Sequence, residues 1–285
     1  MHTIDLHCHS DRSDGALSPR ALIERAAARG VRMIALTDHD TLEGLSAAAE
    51  TAKSCGIDFI NGVEVSVSWG SVTLHVLGLR VDPSESRLAA GLVSIRAGRL
   101  RRAEAIALRL ESKGIAGSLS GALALAANPE MVSRTHFARH LVASGVVKNM
   151  KTAFQRFLGE DKPAFVRHRW SALGDAIGWI RGAGGVAVLA HPGRYGLRPV
   201  RLHTLFSEFK SLGGEAVEVV TSSHTPQDVE QVANLACALG LRASAGSDFH
   251  SPEESWLDFG QLRELPPKCD PVWRDWPECR SFTRH

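Results

Sequence analysis

The feature that most restricts how this chain can fold is a recurring junction, in which a short apolar, β-branched run gives way to histidine, aspartate or glutamate. Residues 3–6 run into His7, residues 33–36 into His39, residues 59–63 into Glu64, residues 186–190 into His191, and residues 242–245 into Asp248. Runs of this length predict buried strands. Amphipathic segments with helix boundary signals lie between them. Ser18 is placed as an N-cap with Pro19 at the first helical position and Gly30 beyond the far end, and a second helix is predicted over 41–54 with Asp40 as its cap. Further helices are predicted over 171–181, 200–212 and 226–239. Such alternation argues for an α/β fold, a parallel sheet or barrel of βα units.

The middle of the chain breaks the alternation. From residue 99 to 165 the pattern is helical and rich in Ala, Leu and Arg, with helices expected over 85–113, 133–144 and 151–158. The expected organisation is therefore a barrel domain made of 1–98 and 166–285, with 99–165 as an inserted helical subdomain. A chain of 285 residues has room for this. Its 44% hydrophobic and 22% charged content excludes a disordered or fibrous protein. The net charge of +2 excludes a field strong enough to hold a long polyanion by charge alone. Five scattered cysteines without a Cys-x-x-Cys pair argue against a disulfide framework or a thiolate zinc site. No run approaches a membrane span and no leader pattern opens the chain, so a cytoplasmic protein with no membrane contact is expected.

Thirteen histidines against a single tyrosine mark where the chemistry lies. In extended chain, alternation turns His7 and His9 to one side and Cys8 to the other. Cys8 is accordingly read as a packed neighbour. In a barrel of βα units the carboxyl ends of the strands converge on one face. His7, His9, Asp14, His39, Glu64, His75, His191, Asp248 and His250 would then share one pocket. Three carboxylates buried together need cations to offset their repulsion. Six imidazoles and three carboxylates without sulfur suit Mn²⁺, Fe²⁺ or Zn²⁺ in open catalytic sites better than a closed structural zinc. Nine donors are too many for one ion, so two or three are expected, with Glu64 between two of them. Asp5 and Asp38 could accept from ligating imidazoles or bond at strand ends. His224 is a candidate substrate or proton-transfer group, and Arg96, Arg99, Arg102 and Arg109 form either a solvated helix face or a track for a nucleic-acid backbone.

Taken together, the segments Asp-Leu-His-Cys-His-Ser (5–10), Ser-Asp-Gly (13–15), Thr-Asp-His-Asp (37–40), Gly-Val-Glu (62–64), Ala-His-Pro (190–192) and Ser-Asp-Phe-His (247–250) resemble the signatures of the PHP (polymerase and histidinol phosphatase) superfamily. The resemblance implies a distorted (β/α)7 barrel whose di- or trinuclear metal centre hydrolyses phosphate esters with activated hydroxide. It assigns His7, His9, Glu64 and Asp248 to one ion, Glu64, His75 and His191 to a second, and Asp14, His39 and His250 to a third. The insert's Ser-Arg-Thr-His (133–136) is similar to stand-alone bacterial members that act on nucleotides. That likeness implies substrate contacts from Arg134, Thr135 and His136 on the insert, from Arg194 on the barrel, and from Asp14, His39 and His250. The implied reaction removes the 3′-phosphate of a nucleoside 3′,5′-bisphosphate. Alternatives are a 5′-3′ exoribonuclease on short RNA, a non-catalytic phosphate-sensing module and a histidinol phosphatase. A small nucleotide is the implied partner, with no protein partner.

Overall fold

The chain was analysed as a computed structural model that describes residues 3–278. The outermost residues of the expected barrel segments, 1–2 and 279–285, lie outside the described residues, Cys279 among them. Strands β1 (Ile4–Asp5), β2 (Met33–Leu36), β3 (Asp58–Trp69), β4 (Val72–Leu79), β5 (Ser171–Ala172), β6 (Val186–Leu189), β7 (Ala216–Thr221) and β8 (Arg242–Gly246) share one sheet. Its order is β1-β2-β3-β4-β6-β7-β8, with the short β5 paired to β3. Beyond the strands proper, Leu6 N–H donates to Ala245 O (3.0 Å), Asp248 N–H to His7 O (2.8 Å) and His9 N–H to Phe249 O (2.9 Å). These bonds draw the last strand onto the first and nearly close the sheet into a barrel.

The all-parallel pattern of a βα barrel holds except at β3 and β4. The expected end of β3 at Glu64 is not an end. Val65 and Val67 continue the buried alternation, the chain turns at Gly70 (φ 58°), and β4 returns antiparallel with Trp69 opposite Val72. A glycine-bearing two-residue loop between alternating apolar strands is a hairpin signal. Strand β4 then pairs antiparallel with β6. In this register Ser66 faces His75 and Glu64 faces Leu77, so Glu64 and His75 are diagonal neighbours on one face.

Helices α1 (Pro19–Ala28), α2 (Leu45–Cys55), α3 (Ser86–Glu111), α4 (Ser118–Ala124), α5 (Arg134–Ala143), α6 (Met150–Ala153), α7 (Leu173–Gly182), α8 (Pro199–Ser211) and α9 (Pro226–Leu239) complete the chain. Ser18 caps α1 as expected, its side chain accepting from Ala21 N–H. By contrast, α2 begins at Leu45 behind Gly44, because Asp40 is used elsewhere and does not cap it. The helix expected over 151–158 is α6 followed by a π-helical turn, Phe154–Leu158.

Helix α3 bridges two apolar clusters. Leu88, Leu92 and Ile95 join the barrel cluster, while Ala103, Ile106, Ala107 and Leu110 join a second cluster that runs on through Phe137 and Leu141 to Ala164. Gly91 lets α3 lie against α7, since a Cβ there would stand 2.6 Å from the Trp179 ring. The proline-rich tail packs as irregular chain, with Val272 N–H on Ala243 O (2.9 Å) and Trp276 buried. Among the described residues no helix is long and apolar enough to cross a membrane.

Candidate metal centre

All nine residues singled out as ligands meet at one rim of the barrel. Past β1, alternation acts as expected. Cys8 turns into the core and donates its thiol to Ala35 O (3.2 Å), while His7 and His9 face the interior with their Nε2 atoms 3.0 Å apart. Asp14 lies in a turn where Ser13 and Gly15 N–H donate to Ser10 O. Asp38 fastens that turn, accepting from Ser10 N–H (2.8 Å), Ser10 Oγ (2.6 Å) and Ser13 Oγ (2.6 Å). Burial pushes the Asp38 carboxyl up to about 6 even though these serine bonds oppose the shift. Asp5 likewise accepts from the backbone, from Ser247 N–H at 2.8 Å. Neither acid touches an imidazole, so the strand-end reading holds for both.

Two of the candidate ligands are held in unusual backbone geometry. His191 has φ 28° and Asp248 φ 55°, a region that costs of order 1–3 kcal/mol for residues with a Cβ. Specific bonds hold them there: His191 N–H donates to Glu218 Oε2 (2.7 Å) and Asp248 N–H to His7 O (2.8 Å).

The donor atoms fall into compact sets. His7 Nε2 and His9 Nε2 lie 3.4 and 3.2 Å from Asp248 Oδ1, and 3.4 and 3.3 Å from the two Glu64 oxygens. Glu64 Oε1 lies 2.9 Å from His75 Nδ1 and 3.1 Å from His191 Nε2, which are 3.3 Å apart. Asp14 Oδ1 is 3.3 Å from His250 Nε2 and 3.9 Å from His39 Nε2, with His9 Nδ1 at 4.0 Å. Donors sharing an ion at about 2.0–2.2 Å must themselves sit roughly 3–3.5 Å apart. Most of these spacings match. His9 Nδ1, Asp14 Oδ1, Glu64 Oε2 and His191 Nδ1 are also buried without a hydrogen-bond partner, an arrangement that cations at His9, Asp14 and Glu64 would complete. The residues therefore fit two or three divalent ions.

The charges of the metal-free cluster are divided sharply. Burial disfavours charge on His7, yet Glu218, Glu64 and Asp248 outweigh it and hold the imidazole well above its usual range. His250 is likewise raised, to about 9, by Asp14 against the effect of burial. Burial and the His250 charge pull His9 down to about 3, and burial pulls His75 to about 4. Glu64, although buried, is held well below the ordinary carboxylate range by His39, His75 and His7.

A cavity of about 140 Å³ opens above these donors, walled on the opposite side by Arg99, Arg102, Arg134 and Trp170. It shares Thr135, Phe154, Arg194, Asp248 and His250 with a groove of about 1010 Å³ between residues 135–154 and the loops after β7 and β8. Thr135 Oγ1 and Ser133 Oγ donate to Asp14 Oδ2 (3.0 and 3.3 Å), so the start of α5 holds the candidate ligand Asp14 directly. Arg194, half-exposed, donates to Asp248 Oδ2 at 2.6 Å. Arg134 lies between the Phe154 and Phe165 rings.

Several expectations need correction. His136 does not line the cavity: it is buried, and its Nδ1 accepts from Ser133 N–H (3.0 Å) to close the capping box of α5. His224 lines the groove, but both its ring nitrogens are committed to backbone, Nε2 accepting from Gly193 N–H (2.9 Å) and Nδ1 facing Val219 O (3.0 Å), which leaves neither free for proton transfer in this arrangement. Asp40, expected as a cap, accepts from Ser66 N–H (2.7 Å) and Ser66 Oγ (2.8 Å) and pairs with Arg99. The arginine row is only partly a solvated face, with Arg109 exposed and Arg96, Arg99 and Arg102 at least partly buried. Arg96 donates to Asp40 O (2.8 Å), Arg102 to Val166 O (3.2 Å) and Arg109 to Phe165 O, because this side of α3 lies against the loop after β2 and the segment around residues 165–166.

Glu218 is the residue that sequence reasoning missed. It is wholly buried in β7 and bonds both His7 Nδ1 (2.9 Å) and His191 N–H. A lone carboxylate in an apolar strand, with Val217 and Val219 facing the core, was the available signal.

The chain matches the PHP domain family over residues 5–144. It is 54% identical to the 3′,5′-nucleoside bisphosphate phosphatase of Chromobacterium violaceum, across 96% of each chain. It is 42% identical to a 5′-3′ exoribonuclease of Haemophilus influenzae, across 94% of this chain and 97% of that one. The solved structure of a Chromobacterium violaceum amidohydrolase with bound sulfate and no metal superposes with a TM-score of 0.93 at 53% identity, covering 96% of this chain and 95% of that one.

Proposed function

The chain belongs to the PHP domain family, and from that premise we propose that it is a metal-dependent phosphoesterase that removes the 3′-phosphate of nucleoside 3′,5′-bisphosphates, leaving the 5′-nucleotide and inorganic phosphate. The observation that carries this reading is the set of nine donors packed around Glu64 beneath a cavity rimmed by arginines. The 54% identity along nearly the whole length of a bisphosphate phosphatase supports it. We read residues 99–165 as a helical subdomain inserted in the barrel of 1–98 and 166–285, since it has an apolar cluster of its own. Free thiols at Cys8, Cys55, Cys237 and Cys269 support action in the cytoplasm.

His7, His9, Asp14, His39, Glu64, His75, His191, Asp248 and His250 would hold two or three divalent ions, Mn²⁺ first and Fe²⁺ or Zn²⁺ as alternatives for the same nitrogen and oxygen donors. Such ions, when bound, place positive charge on phosphoryl oxygens and lower the pKa of water toward neutrality. The rest falls to the chain. His9 and His75, held neutral at physiological pH, offer lone pairs without losing a proton first. Glu218 keeps Nε2 of His7 turned to the centre. Arg194, held at the rim by Asp248, offers a guanidinium fork to the phosphoryl oxygens as negative charge builds. Thr135 and Ser133 tie the insert to Asp14, so that substrate held by the insert is registered against the metal ligands.

A second reading, 5′-3′ exoribonuclease on short RNA, is favoured by the groove of about 1010 Å³, which has more room than one nucleoside needs. The two are separated by giving the Mn²⁺-loaded protein adenosine 3′,5′-bisphosphate or a 5′-phosphorylated oligoribonucleotide and chromatographing the products. AMP and phosphate from the first substrate alone is the expected result. Stepwise mononucleotide release from the second would favour the exoribonuclease, and silence on both would overturn a catalytic role.

A further inference from the structure

Two cysteines far from the metal centre meet across an element boundary. Cys237, exposed, sits in the last turn of α9, and Cys269, buried, sits in the proline-rich tail. The Cys237 thiol donates to Lys268 O at 3.4 Å, which places its sulfur against the peptide that enters Cys269. Burial pushes the Cys269 thiol up to about 11, and the adjacent, hydrogen-bonded Cys237 thiol adds to that shift.

The encounter is fixed on both sides. Glu230, Asn234 and Cys237 are spaced by four and three residues, so they share one face of α9. Lys268 lies along that face, its Nζ donating to Glu230 Oε1 (2.6 Å) and Asn234 Oδ1 (2.7 Å). Beyond Cys269 the tail is fastened to β8, where Ala243 N–H donates to Asp270 O (2.7 Å) and Val272 N–H to Ala243 O (2.9 Å). Cys269 N–H itself donates to Pro266 O (2.9 Å), closing a turn. The tail cannot carry Cys269 away from Cys237 without breaking these bonds. Access to the pair is asymmetric: solvent reaches Cys237, whereas Cys269 is 8% exposed and belongs to the barrel's apolar cluster. An exposed thiol that reacts first beside a shielded thiol that resolves it is the arrangement of a redox-sensing pair.

We propose that Cys237 and Cys269 form a redox modification site, a dithiol that a peroxide closes into a disulfide between α9 and the tail. The Cys237 thiolate attacks one oxygen of hydrogen peroxide and breaks the O–O bond; the hydroxide released takes up a proton as water, and Cys237 is left as a sulfenic acid. The Cys269 sulfur gives up its proton and displaces the hydroxyl from Cys237 as a second water, forming the S–S bond. Two thiols are oxidised and one peroxide is reduced to two waters, and exchange with a small thiol reverses the bond. The disulfide staples the tail to α9 behind β8, the strand that leads to Asp248 and His250, without removing a metal donor.

The test treats the Mn²⁺-loaded full chain with a stoichiometric dose of hydrogen peroxide, blocks the remaining thiols and maps the digested peptides by mass. A cross-linked pair of peptides carrying Cys237 and Cys269 is expected, lighter by about 2 Da than the two thiol peptides together and separated by reduction. The oxidised protein should melt about 5 °C higher, since a loop of roughly 30 residues has been closed. In Cys237→Ser both the cross-link and the rise should vanish while Cys269 stays reduced. In Cys269→Ala, Cys237 should instead stop at the sulfenic acid, which dimedone traps. Both thiols remaining free in the wild type, or a link from either to Cys55 or Cys279, would overturn the site. A cross-link without a rise in melting temperature would overturn the staple.

Discussion

Glu218 stands 2.9 Å from Nδ1 of His7, both of them wholly buried, and its other oxygen accepts from the backbone N–H of His191. One carboxylate thus sets the tautomer of one candidate ligand and the backbone position of another. A proton on Nδ1 leaves Nε2 of His7 with its lone pair facing His9, Glu64 and Asp248. Acids behind metal-bound imidazoles typically contribute 10–100-fold in metal affinity or activity. Glu218→Gln is therefore expected to weaken Mn²⁺ binding by about that factor. Titration against a chelator of known affinity measures it; wild-type affinity in the variant would show that Glu218 orients nothing.

Gly246 sits directly behind the same pair. A Cβ there would stand 2.3 Å from His7 Cβ and 2.9 Å from Glu218 Oε1, and neither neighbour can retreat from a closed barrel wall. Gly246→Ala should cost about 1–3 kcal/mol from overpacking alone. It should also weaken metal binding in parallel with Glu218→Gln. Denaturant unfolding with and without Mn²⁺ separates the two effects.

Asp248 faces the cluster with Oδ1 and Arg194 with Oδ2. Asp248→Asn keeps its size but removes the charge that both need. Turnover should fall by more than the roughly 100-fold typical of residues one layer farther out. The far-ultraviolet circular dichroism spectrum should not change. A protein that only senses phosphate would have no turnover to lose, so comparing wild type and variant also separates an enzyme from a binding module.

The raised histidines give the metal-free protein a pH signature. His250 is raised to about 9, and His7 and His39 are raised above 6.5. Each takes up its proton more readily folded than unfolded. The stability this adds is fully present below about pH 6.5 and fades as pH climbs toward 9. Metal binding runs the other way, because the same protons must leave before the imidazoles can coordinate. Between pH 6.5 and 9 the melting temperature of metal-free protein should fall while Mn²⁺ affinity rises. Thermal melts and calorimetry across that range check both trends; parallel movement would mean that these histidines are not the groups in play.

Much of the site was legible because its chemistry is local. His7 and His9 share a face because strand alternation requires it, and the junction of apolar run and polar residue located His39, His191 and Asp248 before any contact was known. Glu64 and His75 also reach the cluster, but Glu64 does not end its strand. The cue was the alternation of Val65 and Val67 through Gly70 to Leu74, which marks a hairpin rather than a strand end. The PHP segments also pointed to the family in which the chain belongs.

Local pattern by itself determined most of the strand-and-helix order and which imidazoles and carboxylates are candidates to gather at one rim, since these depend on residue type and short-range period. Tertiary structure alone decided which groups became partners. Glu218 reaches His7 across 211 positions of sequence, and Asp40 pairs with Arg99 across 59. His136 was withdrawn from the cavity to cap its own helix, a competition between local and distant bonds that spacing does not reveal. Burial and long-range pairing are properties of the folded barrel, and they brought Arg99 and Arg102, two members of a row that reads as solvated surface, to the lining of the cavity.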